Sequence, residues 1–331
     1  MAALDNCYLC GKSKNPKLLY NLTFGSVYSC LDCKIAYTVF NQGYDRKEPN
    51  LVFGLKDFIK ARIYDQRRLH KIARDRLRLL KRFLPSGRIL ELGSSTGEFV
   101  YTCAKNGYEV TYADLCPSLL NINITGNLKE QIKLETGLFK NGKTYDAIAA
   151  FHTLEHLTDA ARFLLNCYEA LNSNKGILFL EVPNFGSLLR RIMGKSWFYD
   201  YHASHFDKAS LERLLRASGY EILLVRTVEE PERYLALVYN PLRNLLWSVF
   251  KKIPQIKNNS SSYDNCKDKF SGYSLKEENI ILNSYKARLY RLESFLLGLS
   301  ARVLFPFYKI IDKFYLGANL QIVARKSNAK A

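Results

Sequence analysis

Residues 88–97 read Arg88-Ile89-Leu90-Glu91-Leu92-Gly93-Ser94-Ser95-Thr96-Gly97. Five residues of mostly apolar, strand-forming character run into a glycine turn, and an amphipathic helix is expected over 98–106. A glycine turn between strand and helix lets backbone amides approach a ligand, and the helix N-terminus adds a positive dipole. Tyr108–Ala113 reads as the next strand and ends at Asp114, seventeen residues after Gly97. A carboxylate there is placed to accept hydrogen bonds from a ribose diol. The loop is G-x-x-x-G with an acidic residue two places ahead, and it departs from the G-x-G-x-x-G of a nicotinamide-binding turn.

Outward from this loop the alternation continues. Residues 56–84 carry Ile59, Ile63, Leu69, Ile72, Leu77, Leu80 and Phe83 at helical spacing, with an arginine-rich outer face. Pro85-Ser86-Gly87 ends that helix. Strands are expected over Tyr145–Phe151, Gly176–Val182 (halted by Pro183), 220–228 and Ala318–Ala324, with helices over 158–171 and 208–218. Strand and helix alternating at this rhythm predict an α/β fold built on a doubly wound sheet. No internal repeat is present.

Charge is unevenly spread. The 331 residues carry a net +18. Residues 56–82 hold eleven Lys/Arg against three Asp, and residues 240–331 hold sixteen against six Asp/Glu; the remainder is neutral. Two basic blocks suit specific anionic contacts better than diffuse solubilisation, although two solvated helical faces would look the same. The 47% apolar content excludes a disordered chain, and no apolar run reaches the ~18 residues of a membrane span. Met1–Asn6 lacks a basic segment followed by an apolar stretch, so a reducing, cytoplasmic setting is expected.

Cys7-x-x-Cys10 and Cys30-x-x-Cys33, nineteen residues apart, have the spacing of a zinc ribbon. Each pair sits on a tight turn, and four thiolates close a tetrahedral site with no open position, hence a structural Zn2+. Four reduced structural cysteines or two disulfides are the alternatives, and the expected compartment argues against disulfides. Cys103, Cys116, Cys167 and Cys266 are scattered and read as inert.

Taken together, these stretches resemble the class I S-adenosylmethionine-dependent methyltransferases, in the subgroup of ubiquinone-biosynthesis and sugar methyltransferases. Glu91, Gly93 and Gly97 match the first motif of that family, with Ser95 at its middle glycine. The stretch Tyr145–Phe151 with His152-Thr153-Leu154-Glu155-His156-Leu157 looks like the family's fourth strand and L-E-H signature. Leu171–Gly176, Glu181–Asn184 and His202–Phe206 with Gly219-Tyr220 are similar to later family segments. The resemblance implies a Rossmann-like seven-stranded methyltransferase sheet. It also implies that Glu91, Gly93, Ser95 and Gly97 cradle the methionine half of S-adenosyl-L-methionine, that Asp114 holds the ribose, and that Phe151 flanks the sulfonium. Core packing is the other reading of Phe151.

The expected organisation is a zinc ribbon over 1–45, a linker and basic helix over 46–84, a cofactor-binding core over 85–233 and 318–326, and a basic amphipathic helical insertion over 234–317. Methyl transfer to a hydroxyl needs a base, and histidine suits it. Of five histidines, His152 and His205 are the preferred candidates. His156 is a third, with a turn-forming role as its alternative, and His70 reads as a surface residue. Glu181 reads as serving only backbone groups. The acceptor is expected to be a small molecule or glycan, possible partners of the insertion being a pocket, a dimer or an anionic membrane surface at the cytoplasmic face. An RNA methyltransferase holding phosphates with the ribbon and Arg67, Arg68, Arg74 and Arg78 is the second reading, and a non-catalytic cofactor-binding protein the third.

Overall fold

The structure, a computed structural model, describes residues 7, 10, 16–44, 66–95, 97–114, 132–135, 143–172, 176–228 and 305–327. Most of the expected 234–317 insertion, the first half of the basic helix, Cys116 and Cys266 lie outside the described residues.

Strands β1 (Lys17–Asn21), β2 (Gly25–Ser29) and β3 (Ala36–Phe40) form an antiparallel meander around the cysteines. Helix α1 (Gln66–Leu80) then leads into the main sheet. Its strands are β4 (Arg88–Leu92), β5 (Glu109–Ala113), β6 (Ile132–Glu135), β7 (Ala147–Phe151), β8 (Ile177–Pro183), β10 (Tyr220–Val228) and β11 (Asn319–Lys326). Between them come α2 (Glu98–Ala104), α3 (Ala160–Ala170), α4 (Leu188–Met193), the two-residue strand β9 (Ser204–His205), α5 (Lys208–Ala217) and α6 (Phe305–Lys313).

The order across the sheet is β10-β11-β8-β7-β4-β5-β6, parallel from β8 to β6, with β11 antiparallel to both neighbours. The first four parallel connections wind one way from β4 to β6 and then reverse to β7 and β8. That reversal makes the crevice between β4 and β7, at their carboxyl ends, the switch point where a ligand binds in such sheets.

Both sheet faces are covered, so the strands are apolar throughout and parity alone sorts their side chains. Leu90, Leu92, Ile148, Leu178, Leu180 and Ile322 pack on α3 and α5. Ile89, Val110, Ala149, Phe179 and Val323 pack on α1 and α2, through Leu77, Leu80, Phe99 and Val100. Cys103 and Cys167 are fully buried, one in each layer, and burial pushes their thiols well up, which makes them inert.

Two expectations need correction. Pro183 does not halt the strand before it; it is the last residue of β8 and pairs with Asn319 of β11. The cysteine segment is no separate ribbon either, because β9 of the core pairs with β3 and completes a four-stranded sheet. Replacing Ile148, fully buried, by Ala should cost ~2–5 kcal/mol through lost contacts and a cavity. Urea unfolding with an unchanged slope would show it; a loss below ~1 kcal/mol would mean this layer is not packed as described.

Candidate functional site

The turn after β4 is shaped by left-handed backbone. Gly93, Ser95 and Gly97 have φ of +72°, +47° and +74°. A Cβ on Gly93 would lie 2.4 Å from the Thr153 hydroxyl, so only glycine fits there. The turn is tied to the next strand by the Ser95 amide, which donates to Asp114 Oδ2 at 2.8 Å. It is tied to β7 by Thr153, whose hydroxyl donates to the Leu92 carbonyl at 3.0 Å. Glu91 Oε2 and Ser94 Oγ are buried with no hydrogen-bond partner among the described residues. Burial pushes the Glu91 carboxyl up to about 8, against the pull of Arg76. A buried carboxyl oxygen and a hydroxyl without partners among the described residues, beside a glycine cradle at a sheet switch point, form a donor and acceptor set that fits the polar end of S-adenosylmethionine.

Parity places three more groups on the same face. Glu91, Phe151 and Glu181 follow Ile89, Ala149 and Phe179 in their strands, so all point toward α1 at the carboxyl edge of the sheet. There Arg76 of α1 turns inward. Its Nε and a terminal nitrogen donate to Glu181 Oε2 and Oε1 at 3.0 and 2.7 Å, and its guanidinium lies 4.0 Å over the Phe151 ring. Gln321 of β11 donates to the same carboxylate and accepts from Arg226 Nε. Glu181 is therefore an ionic hub, where the sequence suggested only backbone satisfaction. Although burial opposes it, Arg76 and His152 hold its carboxyl well below the usual range. The Phe151 ring meets Phe99 and Phe179 edge-on at 4.9 and 5.0 Å.

The five histidines separate clearly. His152, with φ +53°, sits between two carboxylates, its Nδ1 3.4 Å from Glu155 and its Nε2 3.2 Å from Glu181. Burial disfavours its charge, but the two carboxylates prevail and hold it at about 9. Two carboxylates that favour its charged form make it a poor proton acceptor, which counts against the first candidate. His205 is corrected as well. It is 2% exposed, hydrogen-bonded through Nε2 to the Thr38 hydroxyl at 2.8 Å, and enclosed by Phe185, Trp197 and Phe198. Burial drives it down to about 3, so it is held neutral among these rings. His70 is not idle: its Nδ1 lies 2.7 Å from Glu98 and links α1 to α2.

His156 is held differently. It ends a tight turn, Leu154–His156, and its Nδ1 lies 3.2 Å from the Tyr201 carbonyl. A carbonyl only accepts, so in this contact the ring donates from Nδ1. Glu155 Oε1 lies 4.0 Å from Nε2 and would stabilise the imidazolium formed on proton uptake. His202 packs edge-on against His156 at 4.9 Å, and donor atoms of Glu155, His156 and His202 all lie within 4.8 Å of one another. Stacked Tyr199 and Tyr201 border this group.

The sulfurs of Cys7, Cys10, Cys30 and Cys33 lie within 4.8 Å of one another. Cys7–Cys33 and Cys10–Cys30 are 3.8 and 3.6 Å apart. Sulfurs ~2.3 Å from a tetrahedral zinc have edges of roughly 3.8 Å, so the donor set fits Zn2+ and is too open for disulfides. The Cys33 amide also points at Cys30 Sγ at 3.4 Å.

Of the basic blocks, α1 exposes Lys71, Arg74 and Arg78 and turns Arg76 inward. No described helix is long and apolar enough to cross a membrane.

Residues 64–225 match the model of a methyltransferase domain family. The ubiquinone biosynthesis O-methyltransferase of Coxiella burnetii (strain Dugway 5J108-111) is 24% identical over 194 residues, 53% of this chain and 78% of that one. Its counterpart in Xylella fastidiosa (strain 9a5c) is 29% identical over 128 residues, 36% of this chain and 52% of its own. Among solved structures, a SAM dependent methyltransferase from Archaeoglobus fulgidus overlaps 78% of this chain and 94% of its own, with TM-score 0.45 and 17% identity. The glycopeptide N-methyltransferase MtfA complexed with S-adenosyl-L-methionine overlaps 47% and 79%, with TM-score 0.38 and 15% identity. Both overlaps are of general outline only; the fold stands on its own strand order.

His205 makes stability depend on pH. The folded chain keeps it neutral down to about 3, while the unfolded chain takes up a proton near the ordinary 6.5, so its contribution is whole above 6.5 and is lost as pH falls below it. His205→Gln keeps a partner for Thr38 without titrating. Between about pH 6.5 and pH 5, the wild type should lose stability more steeply than this variant, by roughly 1 kcal/mol per pH unit. Equal slopes in urea unfolding would contradict the burial described.

Proposed function

We propose that this chain, whose residues 64–225 match a methyltransferase domain family, is a class I S-adenosylmethionine-dependent methyltransferase that methylates a hydroxyl of a small-molecule or glycan acceptor, with His156 as the base. The bound cofactor supplies a methyl group already activated on a sulfonium, so the protein's task is alignment and proton removal. The observation that carries the reading is a contact: Thr153, two residues before Glu155, closes directly on Gly93. The glycine cradle and the base turn are thereby neighbours across the switch point.

Glu91, Gly93, Ser95 and Gly97 hold the amino-acid half of the cofactor in this reading, and Asp114 takes the ribose hydroxyls. His156 Nε2 accepts the acceptor's proton, its ring oriented by the Tyr201 carbonyl and its new charge met by Glu155. His152 keeps the Glu155 carboxylate in place as an ion pair. Oxygen as the methylated atom is supported by the base and by the printed function of the curated relatives. The four cysteines hold one structural Zn2+. On α6, Phe307 and Ile310 are exposed beside Lys309 and Lys313 while Tyr308 and Ile311 face the core, which suits contact with an anionic membrane surface and a lipid-linked acceptor.

Removing the ribose acceptor in Asp114→Ala should weaken S-adenosylmethionine binding by ~1–3 kcal/mol in calorimetry. Unchanged affinity, or a wild type preferring NAD, would overturn the cofactor assignment. Elemental analysis should find about one zinc per chain and none in Cys30→Ser/Cys33→Ser. Full retention of zinc by that variant would refute the metal site.

A further inference from the structure

The cysteine sheet and the base turn are joined by an unbroken series of short contacts. The Cys30 amide donates to the Ile35 carbonyl at 3.0 Å, and the Lys34 amide returns to the Cys30 carbonyl at 3.1 Å, closing the turn that starts β3. Ile35, 2% exposed, is seated in the same core layer as Leu154 and Phe206. Tyr37, fully buried, packs against Cys7 and Cys30 and pairs with Ser204 of β9.

One residue on, Thr38 binds the core twice: its amide donates to the Ala203 carbonyl at 2.9 Å, and its hydroxyl meets His205 Nε2. The Ala203 amide then donates to the Glu155 carbonyl at 2.8 Å, inside the base turn, and the Ser204 hydroxyl donates to the Leu157 carbonyl just beyond it. Two more bonds reach the core from the cysteine side, Tyr44 to Asp200 at 2.7 Å in the same segment and Arg190 of α4 to Tyr20 at 2.9 Å. Between them, Val27 and Ala36 pack against Trp197 and Phe198.

Every bond in this series lies on the acceptor side. None touches the Gly93–Gly97 turn or Asp114. A two-residue strand such as β9 has too few pairings to hold its own register: β3 holds it on one side, and the Phe185 amide, donating to the Phe206 carbonyl at 2.8 Å, anchors the residue that follows it.

We propose that the cysteine module is a positioning element for the acceptor side: metal at the four cysteines closes the turn that aligns β3, β3 aligns β9, and β9 aligns Glu155 and His156. Thr38 is the positioning residue at the seam. The metal half of this proposal rests on the zinc reading above; the seam itself does not.

The test uses the full chain with its metal. Thr38→Val keeps the volume and the backbone bonds but removes the hydroxyl from His205, and Thr38→Ser restores it. Hydrogen exchange over 199–206 and 152–157 should rise about fivefold in Thr38→Val, the fold-change of one lost hydrogen bond, and return to wild type in Thr38→Ser. The His156 imidazole resonances should shift with it, while affinity for S-adenosylhomocysteine stays within about twofold. Faster exchange confined to 36–40, or a matching loss of S-adenosylhomocysteine affinity, would overturn the positioning role. Stripping zinc with a chelator should reproduce the Thr38→Val pattern at both segments. Exchange rising only within 16–44 on stripping, or a wild type that holds no zinc, would overturn the metal half, and the Thr38 pair still decides the seam.

Discussion

A buried ion pair, Arg76 with Glu181, is the constraint around which the carboxyl edge of the sheet is arranged. Side-chain exposures of 15% and 5% mean both charges have lost most of their water. Such a pair is tolerated only when geometry and further hydrogen bonds compensate desolvation. Here the guanidinium binds bidentately, and Gln321 and His152 occupy the carboxylate's remaining sites. The pair thereby sets the position of α1 over the sheet, the face of Phe151 that Arg76 covers, and the orientation of His152 between two acids. Removing either partner would leave the other charge stranded beside the cofactor cradle.

Two supports thus converge on the switch point from opposite directions. From the α1 side, the ionic hub fixes Glu91, Phe151 and His152, the groups behind the cradle. From the cysteine side, β3 and β9 fix the turn that carries Glu155 and His156. Glu91 shows the cost of the arrangement. Its carboxyl ionises only near 8, so the folded protein loses stability relative to the unfolded chain as pH rises from the ordinary carboxylate range toward that value. A buried acid held protonated at a cleft marks a candidate functional site.

The cradle and the cysteine cluster were legible in the sequence because their signals are local. Gly93 and Gly97 announce left-handed backbone by residue type, and the two Cys-x-x-Cys pairs announce convergence by spacing alone. Strand parity also said more than was taken from it: Glu181 shares a face with Ile177 and Phe179, so it had to point at whatever packs there, and Arg76 lies on that helix's inner side. The base was harder to read. His152, His156 and His205 look alike in sequence, and what separates them is two flanking acids, one carbonyl and one aromatic enclosure, all contributed from distant parts of the chain. The β3–β9 pairing left no trace, since a two-residue strand has no periodicity to detect.

The central claim is that cofactor and acceptor meet between the Gly93–Gly97 turn and the Glu155–His156 turn. A crystal structure of the protein with S-adenosylhomocysteine tests it most directly. The account predicts the ribose hydroxyls on the Asp114 carboxylate, the amino-acid end at the glycine turn beside Glu91, and the thioether sulfur facing His156. Ligand seated instead in the outer groove lined by His70, Arg74, Tyr101 and Lys105, with the switch point empty, would contradict it.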